Sequence, residues 1–164
     1  MSDMLVKLYA LDEKDDYTEA LLSKGIIIKK AFISDRDKVL DFIRIGLPGH
    51  GGWIHECEYA LFNNPPSCYI AVKNKEVIGF ACYDATAKGF FGPTGVREDQ
   101  RKQGIGKALL IKSLLSMKES GYAYAIIGWT AETAIKFYQE TVNAVIIDDS
   151  LPQKSIYRNM LAVE

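Results

Sequence analysis

The stretch that decides the fold is VREDQRKQGIGK, which runs from Val96 to Lys107. A strand-like run ends at its start, a polar loop follows, and a helical pattern begins at Gly104 and Gly106. The first backbone N–H groups of a helix have no partner inside the helix, and the helix dipole makes that end partly positive. Because glycines let the backbone approach a ligand closely, the stretch predicts a cradle for a phosphate or pyrophosphate.

Three phosphate-binding motifs compete for this stretch. A Walker A loop requires glycine at 101 and serine or threonine at 108, where the chain has Arg101 and Ala108. A dinucleotide-binding fingerprint requires a third glycine at 109, where the chain has Leu109. The pattern R/Q-x-x-G-x-G/A is matched at every fixed position by Arg101, Gly104 and Gly106. The third motif is therefore the one that the residues support.

Outward from this stretch, the patterns predict one α+β domain over residues 1–164, with a partly parallel sheet. Upstream, three strand-like runs joined by short turns predict an antiparallel meander: Cys68–Val72, Val77–Tyr83 and Gly89–Val96. Downstream we expect a helix over Gly104–Ser120, a buried strand over Tyr122–Gly128, a helix over Thr130–Gln139 and two final strands, Val142–Ile147 and Ser155–Leu161.

The first part of the chain predicts a strand–helix–strand extension over residues 1–33 and a helical region over 34–66, which precede a core over 67–161. The expected elements are a strand over Leu5–Leu11, a short helix with a capping box at Asp16-x-x-Glu19, a strand over Ile26–Ile33, and helices over 34–45 and 53–62.

Charge and composition exclude several classes of function. Twenty Lys and Arg residues against 21 Asp and Glu residues give a net charge of −1, which leaves no cationic field for a nucleic acid. Cys57, Cys68 and Cys82 are an odd number without a C-x-x-C pair, so we expect neither a disulfide framework nor a zinc site. The spacing of His50, His55 and Cys57 also fits no metal pattern. No apolar run is long enough to span a membrane, and we expect a cytoplasmic protein.

The loop and its neighbours resemble the acyl-CoA-binding core of the GNAT superfamily of N-acyltransferases. The likeness covers residues 67–161 and includes Phe137-Tyr138, which is similar to that family's F-Y element. It implies a three-layer α+β fold: a central, mostly antiparallel sheet with one parallel, splayed strand pair and flanking helices. It also implies that acetyl-CoA enters between the splayed strands, without a metal.

The resemblance implies which residues meet the cofactor. The CoA pyrophosphate is expected at the loop and helix start, mostly on backbone N–H groups: Arg101, Lys102, Gln103, Gly104, Ile105, Gly106 and Lys107. The main chain of Thr94, Gly95 and Val96 is expected to pair with the pantetheine amides like an added half-strand. Tyr138 matches the tyrosine often placed near the CoA sulfur, where a phenol can protonate the departing thiolate.

Two positions depart from the family's pattern. Ala131 stands where an asparagine often reaches the pantetheine, so the contacts made there are in question. Asn143 stands where a glycine often follows the helix; this change is mild because asparagine tolerates the left-handed conformation.

The predicted function is therefore an N-acetyltransferase that moves an acetyl group from acetyl-CoA to a primary amine by direct attack. The acceptor would be a small molecule or a peptide, and the protein a monomer or homodimer that binds neither nucleic acid nor a membrane. Region 34–66, with its glycine-rich loop at 46–52, is expected to border the acceptor site. The candidate general bases are Asp84, Glu56, His50 and His55.

Two alternatives remain open at this level. One is a non-catalytic acyl-CoA-binding or regulatory module on the same fold, which the presence of Tyr138 disfavours. The other is a scaffold or interaction partner that binds no CoA at all.

Overall fold

A seven-stranded sheet lies at the centre of the computed structural model, which describes residues 1–13 and 17–161. The strands are β1 (Ser2–Lys7), β2 (Ile26–Lys30), β3 (Cys68–Lys73), β4 (Glu76–Tyr83), β5 (Phe90–Val96), β6 (Tyr124–Thr130) and β7 (Val145–Ile146). Their order across the sheet is β2-β3-β4-β5-β6-β1-β7, and each neighbouring pair is antiparallel except β5 and β6. Most strands are rich in β-branched and aromatic residues, which suit a pleated, buried surface.

Helices cover both faces of the sheet. They are α1 (Tyr17–Leu22), α2 (Arg36–Gly46), α3 (Trp53–Phe62), α4 (Ile105–Glu119) and α5 (Glu132–Val142). One buried cluster joins α2 and α3 to one face through residues such as Ile43, Leu61 and Phe80. The other joins α4 and α5 to the opposite face through Leu109 and Tyr138. The fold is therefore the three-layer α+β arrangement that the resemblance implies, with one parallel strand pair.

The central elements follow their sequence patterns closely. The meander β3-β4-β5 is antiparallel, as predicted. Asn74 and Lys75 join β3 to β4 with φ angles of 52° and 64°, the left-handed conformation that a tight hairpin turn requires. Gly121, with φ of 96°, follows the end of α4, where the sequence predicts a stop.

The end of the chain differs from the prediction. In place of two strands over Val142–Ile147 and Ser155–Leu161, the structure has the two-residue strand β7 and a 3-10 helix over Ile156–Asn159. The Ser155 hydroxyl accepts a hydrogen bond from the Tyr157 N–H at 3.4 Å, so this residue caps a turn where a strand was expected.

Strand β1 occupies the sheet position beside β6. It pairs with β6 over five residue pairs and with β7 on its other edge. Met4 and Val6 are fully buried. The strand covers Ser2–Lys7 in place of the predicted Leu5–Leu11, because residues 8–10 form a 3-10 helix whose Leu8 carbonyl accepts from the Leu11 N–H. The first residues of the chain are therefore part of the central sheet. The predicted helix cap at Asp16 lies outside the described residues.

Candidate active site

A gap opens between β5 and β6, the two parallel strands. They pair only through Phe90↔Ile126 and Phe91↔Ile127, although β5 continues to Val96 and β6 to Thr130. The facing edges of residues 92–96 and 128–130 therefore have no partner in a β-ladder. The fold leaves a place where an extended ligand can enter the sheet.

Backbone groups of β5 face this gap at Thr94 and Val96. The Arg97 N–H donates to the Ile78 carbonyl of β4 at 2.9 Å. Because successive residues of a strand direct their backbone groups to opposite edges, Arg97 and Gly95 face β4, whereas Thr94 and Val96 face the gap. These two residues can pair with the amide groups of an extended ligand.

The first turn of helix α4 lies beside the end of β5, and its first backbone N–H groups have no partner inside the helix. A Cβ atom on Gly106 would lie 3.9 Å from Cγ2 of Val96, which places the first turn beside the end of β5. The N-cap residue Gly104 has φ of 90°, no side chain caps the turn, and no acidic residue lies in it. A Cβ atom on Gly104 would meet nothing within 4 Å, so the space beside these N–H groups is open. This helix start has the form of an anion site.

The loop that leads to the helix keeps two basic side chains at its surface. Arg101 is exposed, and its Nε donates to the Val96 carbonyl at 3.1 Å, which ties the loop to the edge of the gap. Lys102 is exposed and has φ of 62°. Gln103 donates its side-chain amide to the Gln100 carbonyl at 3.2 Å, so this side chain stabilises the loop.

Two other residues of the predicted loop direct their side chains elsewhere. The Nζ atom of Lys107 lies 4.0 Å from the ring centroid of Tyr17 on α1, in a cation–π contact. Ile105 is buried in the core, with 1% of the residue exposed. At these positions only the backbone faces the helix start.

Tyr138 lies on α5 against the last paired residue of β5. Its ring meets the Phe91 ring edge to face, with 6.4 Å between centroids, and the residue is 8% exposed. Burial raises the pKa of Tyr138 to about 12, so the phenol is protonated at neutral pH. Within the described residues the hydroxyl has no hydrogen-bond partner. It is therefore free to donate to an atom of a ligand.

The connection between α2 and α3 packs on the other side of β5. A Cβ atom on Gly95 would lie 2.6 Å from Cδ1 of Leu47 and 3.4 Å from Trp53, so glycine permits this close approach. The His50 ring stacks on Trp53 with 3.9 Å between centroids and 17° between planes. The segment that is predicted to border the acceptor site therefore packs against β5, and its role there stays a prediction.

A group of residues that the sequence patterns did not indicate lies along β6. We call it the Asp3–Tyr157 group: Asp3, Gly128, Trp129 and Tyr157. A Cβ atom on Gly128 would lie 2.0 Å from the Tyr157 hydroxyl, so this hydroxyl rests directly on the β6 backbone. Trp129 has φ of 48°, and its N–H donates to the Asp3 carboxylate at 2.8 Å. Asp3 is 5% exposed, and burial raises its pKa above the ordinary value.

Two carboxylates act on the Tyr157 hydroxyl. Burial raises the pKa of Tyr157, and the negative charges of Asp3 and Glu56 raise it further. Glu56, on α3, also accepts a hydrogen bond from the Thr86 hydroxyl. The α3 and β1 sides of the molecule thus bring acidic groups toward one aromatic side chain, an arrangement suited to a cationic amine.

Sequence signals for this group exist but are weak. Asp3 is an acidic residue directly before an apolar strand run, and it lies outside the segment that carries the resemblance. Tyr157 falls in a segment that the pattern predicts as a strand, where a tyrosine is unremarkable in composition. The long-range pairing of β1 with β6 brings Asp3 beside Trp129, and the 3-10 helix over Ile156–Asn159 brings Tyr157 onto Gly128.

The predicted general bases occupy very different surroundings. The two carboxylate oxygens of Asp84 accept hydrogen bonds from the Gly89 N–H at 2.7 Å and the Tyr122 hydroxyl at 3.1 Å, so this residue caps a turn. His55 is exposed, and His50 is stacked on the indole ring described above. Glu56 is the one candidate base whose charge acts on the Asp3–Tyr157 group.

Comparison with known proteins gives the same family for most of the chain. The model of the Acetyltransferase (GNAT) family matches residues 36–143. No curated protein matches. Within residues 1–13 and 17–161, no helix combines the length and the apolar character needed to cross a membrane.

Solved structures share the fold at low sequence identity. The glucosamine N-acetyltransferase region of a fungal multi-domain β-N-acetylglucosaminidase has 14% identity and a TM-score of 0.70, over 89% of this chain and 19% of that one. A GCN5-related N-acetyltransferase from Sphaerobacter thermophilus has 19% identity and a TM-score of 0.69, over 89% of this chain and 48% of that one. An aminoglycoside acetyltransferase from an uncultured soil metagenomic sample, solved with sisomicin, has 16% identity and a TM-score of 0.53, over 73% of this chain and 89% of that one.

This chain spans less than half the length of the first two of these proteins. At such identities the likeness shows the fold alone. The family model, by contrast, covers well over half of the chain and includes the loop, the helix start and the gap described above. The chain belongs to the GNAT acetyltransferase family.

Proposed function

We propose that this protein is an acetyl-CoA-dependent N-acetyltransferase that transfers an acetyl group to a primary amine by direct attack. The observation that carries the proposal is the gap between β5 and β6, which has an open helix start at one end and an unpaired, protonated tyrosine beside it. A reducing cytoplasm, in which three free cysteines persist, is its proposed location.

The cofactor end of the site fits a pyrophosphate followed by an extended amide chain. The N–H groups at Gly104–Lys107 would hold the phosphates, with Arg101 and Lys102 beside them. Thr94 and Val96 would pair with the pantetheine amides through the backbone groups that face the gap. The bound cofactor supplies an activated thioester carbonyl, and the remaining chemistry is that of the protein's own residues.

The protein must bring the amine to the site and neutralise it. An amine with a pKa near 10.4 is neutral only about 0.04% of the time at pH 7, which corresponds to a cost of about 4.6 kcal/mol. Asp3 and Glu56 favour binding of the charged amine near Tyr157. Asp3 is the proposed base, directly or through a water molecule, because burial raises its pKa and makes it a stronger base than an ordinary aspartate.

The protein must also stabilise the charge that develops as the acetyl group is transferred. The N–H groups of β5 that face the gap can donate to the carbonyl oxygen. The Tyr138 hydroxyl can donate to the departing sulfur as negative charge develops there. The three cysteines are fully buried, so none faces the open gap as a nucleophile, and this favours direct attack over a covalent enzyme intermediate.

An acceptor screen tests the proposal. Protein and acetyl-CoA are incubated with polyamines, amino acids, aminoglycosides and peptides with free N-termini, and both free CoA thiol and acetylated product are measured. We expect turnover with one of these amine classes and a thermal shift with acetyl-CoA. Binding without turnover would favour a non-catalytic acyl-CoA-binding module, and no binding would overturn both functions.

A matched pair of glycine variants shows whether binding uses the helix start. Gly104 and Gly25 both have positive φ and open space around a new Cβ atom, but Gly25 precedes β2, three strands away from β5. Gly104→Ala and Gly25→Ala should therefore carry similar backbone strain. Only Gly104→Ala should lose acetyl-CoA affinity.

A further inference from the structure

The fold brings the three cysteines of the chain together at one point of the core. Cys57 lies on α3, Cys68 on β3 and Cys82 on β4. Each is 0% exposed, and their three sulfur atoms all lie within 4.8 Å of one another. Cys68 and Cys82 are directly opposite in the β3–β4 ladder, and Cys57 reaches them from the helix above. Residues that are well separated in sequence thus form one triangle of thiols.

Among the described residues, the surroundings of this triangle are apolar, and no positive charge acts on the three thiols. Its neighbours in the core include Leu61, Ile70 and Phe80. Glu58 is the one charged residue, among those that the structure describes, whose charge acts on these thiols besides the cysteines themselves. It is an anion and is ion-paired with Arg36. A ligand with a net charge at this place would therefore be costly to bury.

The spacing of the three sulfur atoms suits a soft central atom with three ligands. A central atom that keeps a lone pair forms a pyramid with three sulfur ligands, so bonds of about 2.3 Å at angles of about 97° set the sulfur atoms about 3.4 Å apart. Movements of less than about 1 Å would bring the present sulfur atoms to that separation. Thiolates select soft ions, and zinc requires a fourth ligand that the described residues do not add to this cluster.

Charge decides which soft ion fits. Three thiolates carry three negative charges, so only a trivalent centre leaves the buried site neutral. We propose that Cys57, Cys68 and Cys82 form a binding site for trivalent arsenic. Arsenous acid forms three As–S bonds and breaks three As–O bonds, and the three thiol protons leave with the hydroxyl groups as three water molecules. No group is oxidised or reduced.

Entry to the site requires movement of α3. The helix begins at Trp53, its N-cap Gly52 gives it no side-chain cap, and the connection before it, 47–52, contains two further glycines, Gly49 and Gly51. Displacement of α3 separates Cys57 from the two strand cysteines. The arsenic centre then joins the helix to the sheet.

Mass spectrometry under native conditions tests the site. The full chain, kept reduced with a phosphine, is incubated with arsenite, and we expect a gain of one arsenic atom with loss of three hydrogen atoms. Cys57→Ala, Cys68→Ala and Cys82→Ala should each weaken arsenite binding by at least about tenfold, because two thiols replace three. Ile70→Val, which alters the same core but keeps all three thiols, should bind like the wild type.

Further measurements on the wild type keep the proposal open to refutation if a cysteine variant does not fold. Phenylarsine oxide bonds to only two thiols and carries a ring that the packed core must admit, so it should bind less tightly than arsenite. Tighter binding of phenylarsine oxide, an adduct with loss of only two hydrogen atoms, tighter binding of zinc or copper(I), or no adduct would overturn the proposal. These outcomes are measured as binding and are independent of acetyl transfer.

Discussion

Tyr138→Phe separates a catalytic phenol from a structural one. The substitution removes one oxygen atom that makes no hydrogen bond with the described residues and keeps the ring that packs on Phe91. The free energy of unfolding should therefore change by less than about 1.5 kcal/mol. Acetyl-CoA affinity should also hold, because the sulfur accepts the proton only as the thiolate leaves. The expected effect is on kcat, which should fall about 100-fold, or about 2.7 kcal/mol.

The assay is single-turnover acetyl transfer beside an acetyl-CoA titration and a thermal melt. Because burial raises the pKa of Tyr138 to about 12, the wild type should show no loss of kcat from this group up to about pH 10. Tyr122→Phe is the matched control: it removes a hydroxyl that donates to Asp84, so it should cost about 1 kcal/mol of stability and leave kcat unchanged. An unchanged kcat for Tyr138→Phe, with acyl transfer limiting the rate, would assign Tyr138 to packing and refute its role as acid.

Three further predictions concern the helix start and the Asp3–Tyr157 group. Acetyl-CoA at about 100 times its Kd should stabilise the wild type by about 2.7 kcal/mol, which raises its melting temperature by about 5–10 °C. Gly104→Val should remove most of this rise; an undiminished rise would contradict the anion site. Gly128→Ala should cost on the order of 1–3 kcal/mol in urea unfolding, because its Cβ would lie 2.0 Å from the Tyr157 hydroxyl, and Tyr157→Phe should rescue part of this loss; additive effects would contradict the contact. Asp3→Asn should lower kcat/KM for the amine. As the pH rises from about 4 to neutral, the wild type should lose folding free energy relative to Asp3→Asn, because the raised pKa of Asp3 makes ionisation of this carboxyl destabilising over that range. A pH-independent difference would contradict the buried charge.

The sequence predicts the central part of the fold because its signals there are local. The meander is set by alternation and by the turn at Asn74-Lys75, and α4 by two glycines at one end and Gly121 at the other. These features act within a few residues, so a pattern detects them. The same holds for the candidate anion site, which is formed by backbone N–H groups at the start of one helix.

The rest of the candidate site depends on contacts that no local pattern contains. β1 lies beside β6 although more than a hundred residues separate them, and a 3-10 helix over Ile156–Asn159 takes the place of the last predicted strand. The β1–β6 pairing places Asp3 beside Trp129, and the 3-10 helix places Tyr157 over Gly128. A sequence pattern with period two predicts that a strand forms, but not which strand lies next to it.

The same pairing helps to explain why the gap between β5 and β6 stays open. Beyond Ile127, β6 turns away from β5 at Trp129, whose φ of 48° is unfavourable for a residue with a side chain. Its N–H is held by the buried Asp3 carboxylate, at the point where the β1–β6 register shifts. Asp3 therefore has a positioning role besides its proposed role as base. Asn at position 3 keeps an oxygen that can accept this hydrogen bond, so Asp3→Asn tests the base, whereas Asp3→Ala should also weaken acetyl-CoA binding as β6 relaxes toward β5.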